Sequence, residues 1–377
     1  MLRVASILPP REGFNSEEAG AVALYVSHFM KSDEGSFDST VFGGWNGAPF
    51  DGHNYISVEI PKLRLTSKSI AYANALCRVL KKGHYDLVEV HNRPSIALAI
   101  KQRCPNLKVS LFLHNDPATM KELRSSKYLY RCVRALDSFV AVSSFIADAL
   151  SNMCPDAKCK TRVVYNALDS SWFEQPANPI EIEDVPISVT FVGRIVAEKG
   201  VLEVAQAYKL LSSTSKSLKL SLVGGTGFSK NAPETGFERE VKALIDTSSS
   251  NVEYLGLRSN DFIRQHLKNS DIVIVPSKVK EAFGRVLLEA MSQGNACIIS
   301  KSGALPEVGG DAVRVLEDVS SQAILSAIEE LIMNKSAILD LKRKALERAK
   351  EFSVQACYAD LAKYRIELVN GESHWKA

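Results

Sequence analysis

The chain has 377 residues, a formal net charge of +3 at pH 7, 46% hydrophobic residues and 24% charged ones. That length accommodates two domains of roughly 100–200 residues each, and the composition is that of an ordinary globular protein. No run of 18 apolar residues occurs, so the sequence offers no membrane-spanning helix.

The first ten residues, Met1 to Pro10, are too short and too strand-like for a secretory leader. Short apolar runs then recur, many separated by helical segments, at 3–9, 55–60, 86–90, 108–113, 138–143 and 162–165. A second series follows at 188–193, 218–223, 252–255, 272–276, 296–300 and 312–316. This alternation predicts an α/β protein with parallel sheets covered by helices. Residues 173–187 are rich in Pro and acid and read as an interdomain linker. The expected division is an N-terminal domain at 1–172, the linker at 173–187 and a C-terminal domain at 188–351. A last helical segment, about 352–377, has either domain to pack on, and the first is the expected one. The Ser-rich stretches at 212–217 and 247–250 read as surface loops.

Charge is unevenly placed. Residues 60–135 hold fifteen Lys and Arg against four Asp and Glu. Within them, 120–136 reads as a helix with Lys121, Arg124, Lys127, Arg131 and Arg134 at helical spacings beside Tyr128 and Tyr130. Such a face either lies on an anionic membrane surface or is simply solvated. No nucleic-acid-binding motif accompanies it, so no nucleic-acid partner is expected. The seven cysteines (77, 104, 132, 154, 159, 297 and 357) are odd in number and include no CxxC pair. They read as reduced thiols of a cytosolic protein.

Two stretches carry chemistry. The run 188–193 ends at Gly193, with Arg194 and Lys199 following, and a helix is expected to start near Gly200. A guanidinium fork, an ammonium and a helix N-terminus together suit a diphosphate. The run 272–276 ends ahead of Glu281, Phe283, Gly284 and Glu289, the two glutamates lying eight residues apart. A carboxylate at a strand's C-terminal end and another in the following helix suit the hydroxyls of a sugar and a ribose. Each pair alone is compatible with ordinary surface or helix charges; the two in this order, each after a strand, point to a nucleotide diphosphate-sugar. His114 ends a strand, where a buried structural histidine is the alternative; His91 in Glu89-Val-His-Asn-Arg93 also ends a strand and is a lesser cleft candidate. Gly224 to Ser229 looks superficially like a dinucleotide fingerprint, but Ser229 and Lys230 stand where the third glycine should fall, so it reads as a turn.

Taken together, these residues resemble the retaining glycosyltransferases of family 4, which have the GT-B fold, and the resemblance covers nearly the whole chain. It rests on Gly193-Arg194 with Glu198-Lys199-Gly200, on Glu281 through Glu289, on Ser302 to Glu307, on Val164 to Asp169 with Ala167 in place of a glycine, and on His114-Asn115 in place of His-Asp. The N-terminal loop departs from the family, keeping Gly20 but carrying Ala19 where a second glycine is usual. The resemblance implies two Rossmann-like domains whose parallel sheets face each other across a central cleft. It implies transfer of a hexose, UDP-glucose being the expected donor, to a saccharide or glycolipid hydroxyl in lipopolysaccharide or polysaccharide synthesis. In that reading Arg194 and Lys199 hold the diphosphate, Glu281 and His114 meet the donor sugar, and Glu289 meets the ribose. Leu257 lies near the base, and Gly20, Phe283 and Gly284 complete the donor site. Retention without a divalent metal or other cofactor is expected, in a cytoplasmic protein peripheral to the inner face of the plasma membrane. A nucleotide-sugar epimerase of the same fold and a non-catalytic nucleotide-sugar-binding protein are the rival readings, and a dinucleotide oxidoreductase is the weakest.

Overall fold

The computed structural model describes all residues except 34, 61–66, 174–185, 213–217, 228–232, 247–250 and 372–377. Most of the expected linker, both Ser-rich loops, and Ser229 with Lys230 lie outside the described residues. The chain forms two compact units. One comprises Met1–Ala167 with Val354–Ala377, the other Leu168–Ser353.

The first unit holds seven parallel strands: β1 (Leu2–Ile7), β2 (Phe37–Gly43), β3 (Tyr55–Ser57), β4 (Leu87–His91), β5 (Lys108–Leu113), β6 (Ser138–Ala141) and β7 (Thr161–Val163), in the order β3-β2-β1-β4-β5-β6-β7. The second holds six: β8 (Ile187–Val192), β9 (Leu218–Val223), β10 (Val252–Gly256), β11 (Ile272–Val275), β12 (Ala296–Ile299) and β13 (Val313–Val315), in the order β10-β9-β8-β11-β12-β13. Central strands such as β4, β11 and β12 are buried throughout, as a sheet covered on both faces requires. Strand β2 escapes the apolar pattern because Asp38, Ser39 and Thr40 interrupt it; Asp38 bonds the Arg3 guanidinium on β1 at 2.9 Å, and the pair is partly exposed. The helix expected at 120–136 is shorter, Ser126–Ala135. Ser125 caps it by accepting from the Tyr128 N–H, which leaves Lys121 and Arg124 in the preceding turns. Among the described residues no helix is long and apolar enough to cross a membrane.

In both sheets the strand order reverses once, between β1 and β4 and between β8 and β11. Parallel crossovers bring every strand's C-terminal end to one edge, and at a reversal the two emerging loops run apart, opening a crevice.

The last helix, Val354–Asn370, belongs to the first unit and places Val354, Cys357, Leu361, Tyr364 and Leu368 in its core. Its polar positions are anchored too. Arg365 makes a bidentate ion pair with Glu89 of β4 at 2.8 Å on both arms, the side chains being 3% and 2% exposed. The Tyr364 hydroxyl is shared with Ser110 of β5 and Ser138 of β6. At the N-terminal strand edge of the second unit, Lys342 bonds Asp271 at 2.7 Å, and Asp271 accepts from the Ser188 N–H at 3.0 Å, closing the β8–β11 junction.

Breaking a buried ion pair by removing one partner strands the other charge. Replacing Arg365 with Met should therefore destabilise the first unit by about 3–5 kcal/mol in urea unfolding, while Glu89→Leu with Arg365→Leu should lose much less. Equal losses in the single and double variants would contradict this account of the helix anchor.

Candidate active site

The second unit's crevice is built from the loops after β8 and β11. After β8, the Gly193 N–H bonds Val223 O and the Ile195 N–H bonds Gly225 O, both at 3.0 Å, which pins this loop to the one after β9. Arg194, between them, is exposed. A 3₁₀ turn, Ala197–Lys199, and a left-handed Gly200 then start the helix Val201–Ser212. The two loops meet across the reversal where the Lys278 N–H bonds Glu198 O at 2.8 Å. Beside that bond the Lys199 ammonium pairs with the Glu281 carboxylate, the side chains being 23% and 20% exposed. Lys278 pairs in turn with Glu203. The cation and the carboxylate read separately from the sequence thus face each other at the sheet's topological switch.

Backbone constraints hold Glu281 in place. Gly303 has φ +62°, and a Cβ there would lie 2.1 Å from Glu281 O. Only glycine fits that contact, and the neighbouring Ala304 N–H bonds the same carbonyl at 2.9 Å. Gly284, with φ +98°, ends the loop and stands as N-cap of the helix Arg285–Ser292 without any side-chain cap. A Cβ on it would meet Leu305 at 2.5 Å. Phe283 is placed differently from the expectation: it is 3% exposed, with its ring packed edge-on against Phe352 at 5.7 Å, so only its main chain is available to a ligand.

Glu289 is 5% exposed and accepts from Arg285 Nε at 2.7 Å. Burial raises its pKa; the Arg285 guanidinium opposes the shift and the nearby Asp169 adds to it. Arg285 was missed in the sequence, although its i,i+4 spacing to Glu289 was a readable signal. Leu257 follows Gly256, which has φ +66°, and is partly exposed beside Gly225. The loops after β8, β9, β10 and β11 therefore bring Arg194, Lys199, Leu257, Glu281 and Gly284 to one edge of one unit.

His114 and Gly20 belong to the other unit. His114 follows β5 and is 8% exposed. Its N–H donates to Asn92 Oδ1 at 2.8 Å, its Nε2 lies 2.9 Å from His91 Nδ1, and Tyr25 stands edge-on at 4.9 Å. Burial, with His91 adding, holds the His114 pKa well below its ordinary value. Burial and then the Arg365 guanidinium push His91 down to about 3. Gly20 caps the helix Ala21–Lys31 in an extended conformation, φ −81°. Ala19 is not among the residues of positive φ, so the loop accommodates alanine without strain. A residue the sequence did not flag sits here: Glu12 accepts from the Ala23 N–H at 3.4 Å at this helix start. Burial raises its pKa, against the Ala23 N–H, Arg93 and the Gly20 N–H. Glu12 and Arg93 follow β1 and β4, the two strands at the first unit's own reversal.

Residues 26–172 match the family model described as Glycosyltransferase Family 4, and residues 174–352 match Glycosyl transferases group 1. The chain belongs to glycosyltransferase family 4. Among curated proteins this glycosyltransferase is 26% identical over 267 residues to the lipopolysaccharide 1,2-N-acetylglucosaminetransferase of Salmonella typhimurium, covering 70% of this chain and 67% of that one. Its fold matches that of sucrose-phosphate synthase from Thermosynechococcus elongatus with a TM-score of 0.78 at 16% identity, over 98% of this chain and 100% of the other. Anabaena Alr3699/HepE, solved in complex with UDP-glucose, matches with a TM-score of 0.71 at 19% identity, over 97% and 99% of the two chains. Both structural matches carry the GT-B fold, and the two parallel-sheet units described above are its two Rossmann-like domains.

Proposed function

We propose that this glycosyltransferase moves a hexose from a UDP-sugar, UDP-glucose first, to a hydroxyl of a saccharide or glycolipid acceptor in lipopolysaccharide or polysaccharide synthesis, with retention at the anomeric carbon. The observation that carries the reading is the Lys199–Glu281 ion pair at the second unit's strand reversal, with Arg194 exposed on the same loop. In the reading, the donor diphosphate takes Lys199 from Glu281 and adds Arg194. The two cations neutralise the charge that develops as the diphosphate leaves, and such preorganised charges act chiefly in the transition state. Glu281, released, accepts hydroxyls of the transferred sugar, and the uncapped helix start at Gly284 adds N–H groups close by. Glu289 takes the ribose hydroxyls, Leu257 packs beside the base, and the main chain at Phe283 lines the site. For the first unit, the proposal keeps His114 and the Gly20 backbone as sugar-binding residues.

Attack on the face from which the diphosphate departs gives retention, with the leaving phosphate accepting the acceptor's proton. No carboxylate is needed as nucleophile. Because two cations serve the leaving group, the proposal includes independence from a divalent metal. The resemblance to an N-acetylglucosaminetransferase of lipopolysaccharide synthesis and to a UDP-glucose complex supports the donor and acceptor classes.

Thermal unfolding with UDP-, GDP- and ADP-sugars, with and without EDTA, tests the donor reading. One donor at a hundredfold over its Kd should add about 2.7 kcal/mol of stability, unchanged by EDTA and lost in Lys199→Ala. A shift that survives Lys199→Ala, or one that EDTA abolishes, would contradict it.

The proposal extends to an anionic surface for the acceptor side. Lys121, Arg124, Lys127, Arg131 and Arg134 are all exposed, with Tyr130 47% exposed among them, while Leu129, Cys132 and Val133 point into the core. Replacing the basic residues at 124, 127, 131 and 134 with Gln should reduce sedimentation with phosphatidylserine vesicles in a salt-dependent way. Unchanged sedimentation would remove the membrane part of the proposal.

A further inference from the structure

The buried histidine pair of the first unit carries an inference beyond ligand contact. His91 is 1% exposed at the end of β4 and has no access to a substrate. Its ring lies between Phe112 and His114, at centroid distances of 4.7 and 5.2 Å. Its Nδ1 is 2.9 Å from His114 Nε2, and its own Nε2 is buried with no hydrogen-bond partner among the described residues. Both imidazoles are held neutral by burial, so each ring carries one N–H, and only one proton lies between them.

Which ring donates follows from the orphan nitrogen. If His114 donated to His91 Nδ1, the His91 proton would sit on Nε2, leaving a buried N–H without an acceptor. If His91 donates from Nδ1, its Nε2 is a bare lone pair. An orphaned acceptor is the less costly of the two. His114 then accepts at Nε2 and carries its proton on Nδ1. Its main chain is fixed as well. Asn92, in a left-handed conformation with φ +54°, bonds the His114 N–H through its side chain and Phe112 O through its own N–H.

We propose that His91 is a positioning residue for His114: it donates from Nδ1 to His114 Nε2, locks the ring, and so makes His114 a hydrogen-bond donor through Nδ1 toward its ligand. The ligand-facing nitrogen of a histidine is in general set by the bond its other nitrogen makes. The inference rests on the sugar-binding role proposed above for His114: a sugar oxygen facing Nδ1 meets a donor, not a lone pair.

The test is ¹⁵N spectroscopy of the full-length protein labelled in its seven histidines, with His114 signals assigned by their loss in His114→Ala. Wild type should show His114 protonated on Nδ1. His91→Phe should shift it toward the Nε2–H form and lower kcat for sugar transfer by about tenfold, the weight of one neutral hydrogen bond, with the donor KM nearly unchanged. His91→Asn, whose amide N–H can stand close to the place of Nδ1, should restore both the spectrum and most of the rate. It also supplies a folded comparison should the Phe variant fold poorly. A wild-type His114 proton on Nε2, or an unaltered His114 spectrum in both His91 variants, would overturn the inference. Full transfer activity in His114→Ala would instead overturn the role of His114, whatever its tautomer.

Discussion

The structure depends on one constraint, the reversal of strand order in a parallel sheet. Every strand in each unit delivers its C-terminal end to the same edge. Only at the reversal do two successive loops diverge and leave backbone and side chains facing open space. In the second unit that place lies between β8 and β11, and the loops carry Lys199 and Glu281 toward each other. The glycines around them are consequences of the same crowding. Gly303 lets one loop close onto Glu281, and Gly284 lets the chain turn from that loop into a helix.

The ion pairs fall into two kinds by burial. Glu89 with Arg365 is sealed in the first unit and ties the last helix to the sheet. Both members are buried, with Glu89 also accepting from Ser6 Oγ at 3.2 Å and Arg365 lying over the Phe37 ring, so the pair is structural. Lys199 with Glu281 is about a fifth exposed. Partly solvated pairs contribute little stability, so the exchange of partners that the proposal requires would cost the fold little. Glu289 lies between these cases: it is buried, its pKa is raised, and Arg285 offsets only part of the desolvation. A carboxylate kept there without full compensation is the kind of local strain that a binding role explains.

Much of this was readable from the sequence, and the failures have physical reasons. Strands packed on both faces announce themselves as apolar runs, whereas β2 carries the partly exposed Asp38, paired with Arg3, and does not. The segment 120–136 has helical charge spacing, yet Ser125 offers a better cap than anything before it, and the helix starts there. That Lys199 and Glu281 come to one sheet edge was legible because each follows an apolar run that reads as a strand. Phe283 was assigned to the ligand by its place in a motif, and the structure turns its ring into the core. Glu12 was invisible because its role depends on Ala23, eleven residues later in the first turn of a helix. The His91–His114 bond joins two strand ends that are adjacent only once β4 and β5 pair in register, with His91 opposite Phe112.

The most direct test of the central claim is amide hydrogen exchange of the intact protein with and without a UDP-sugar. Protection should appear in the loops after β8 and β11, residues 193–200 and 277–284, with β9 and β10 loop ends following. Protection confined to other segments, with these two loops unchanged, would contradict the assignment of the strand reversal as the donor site.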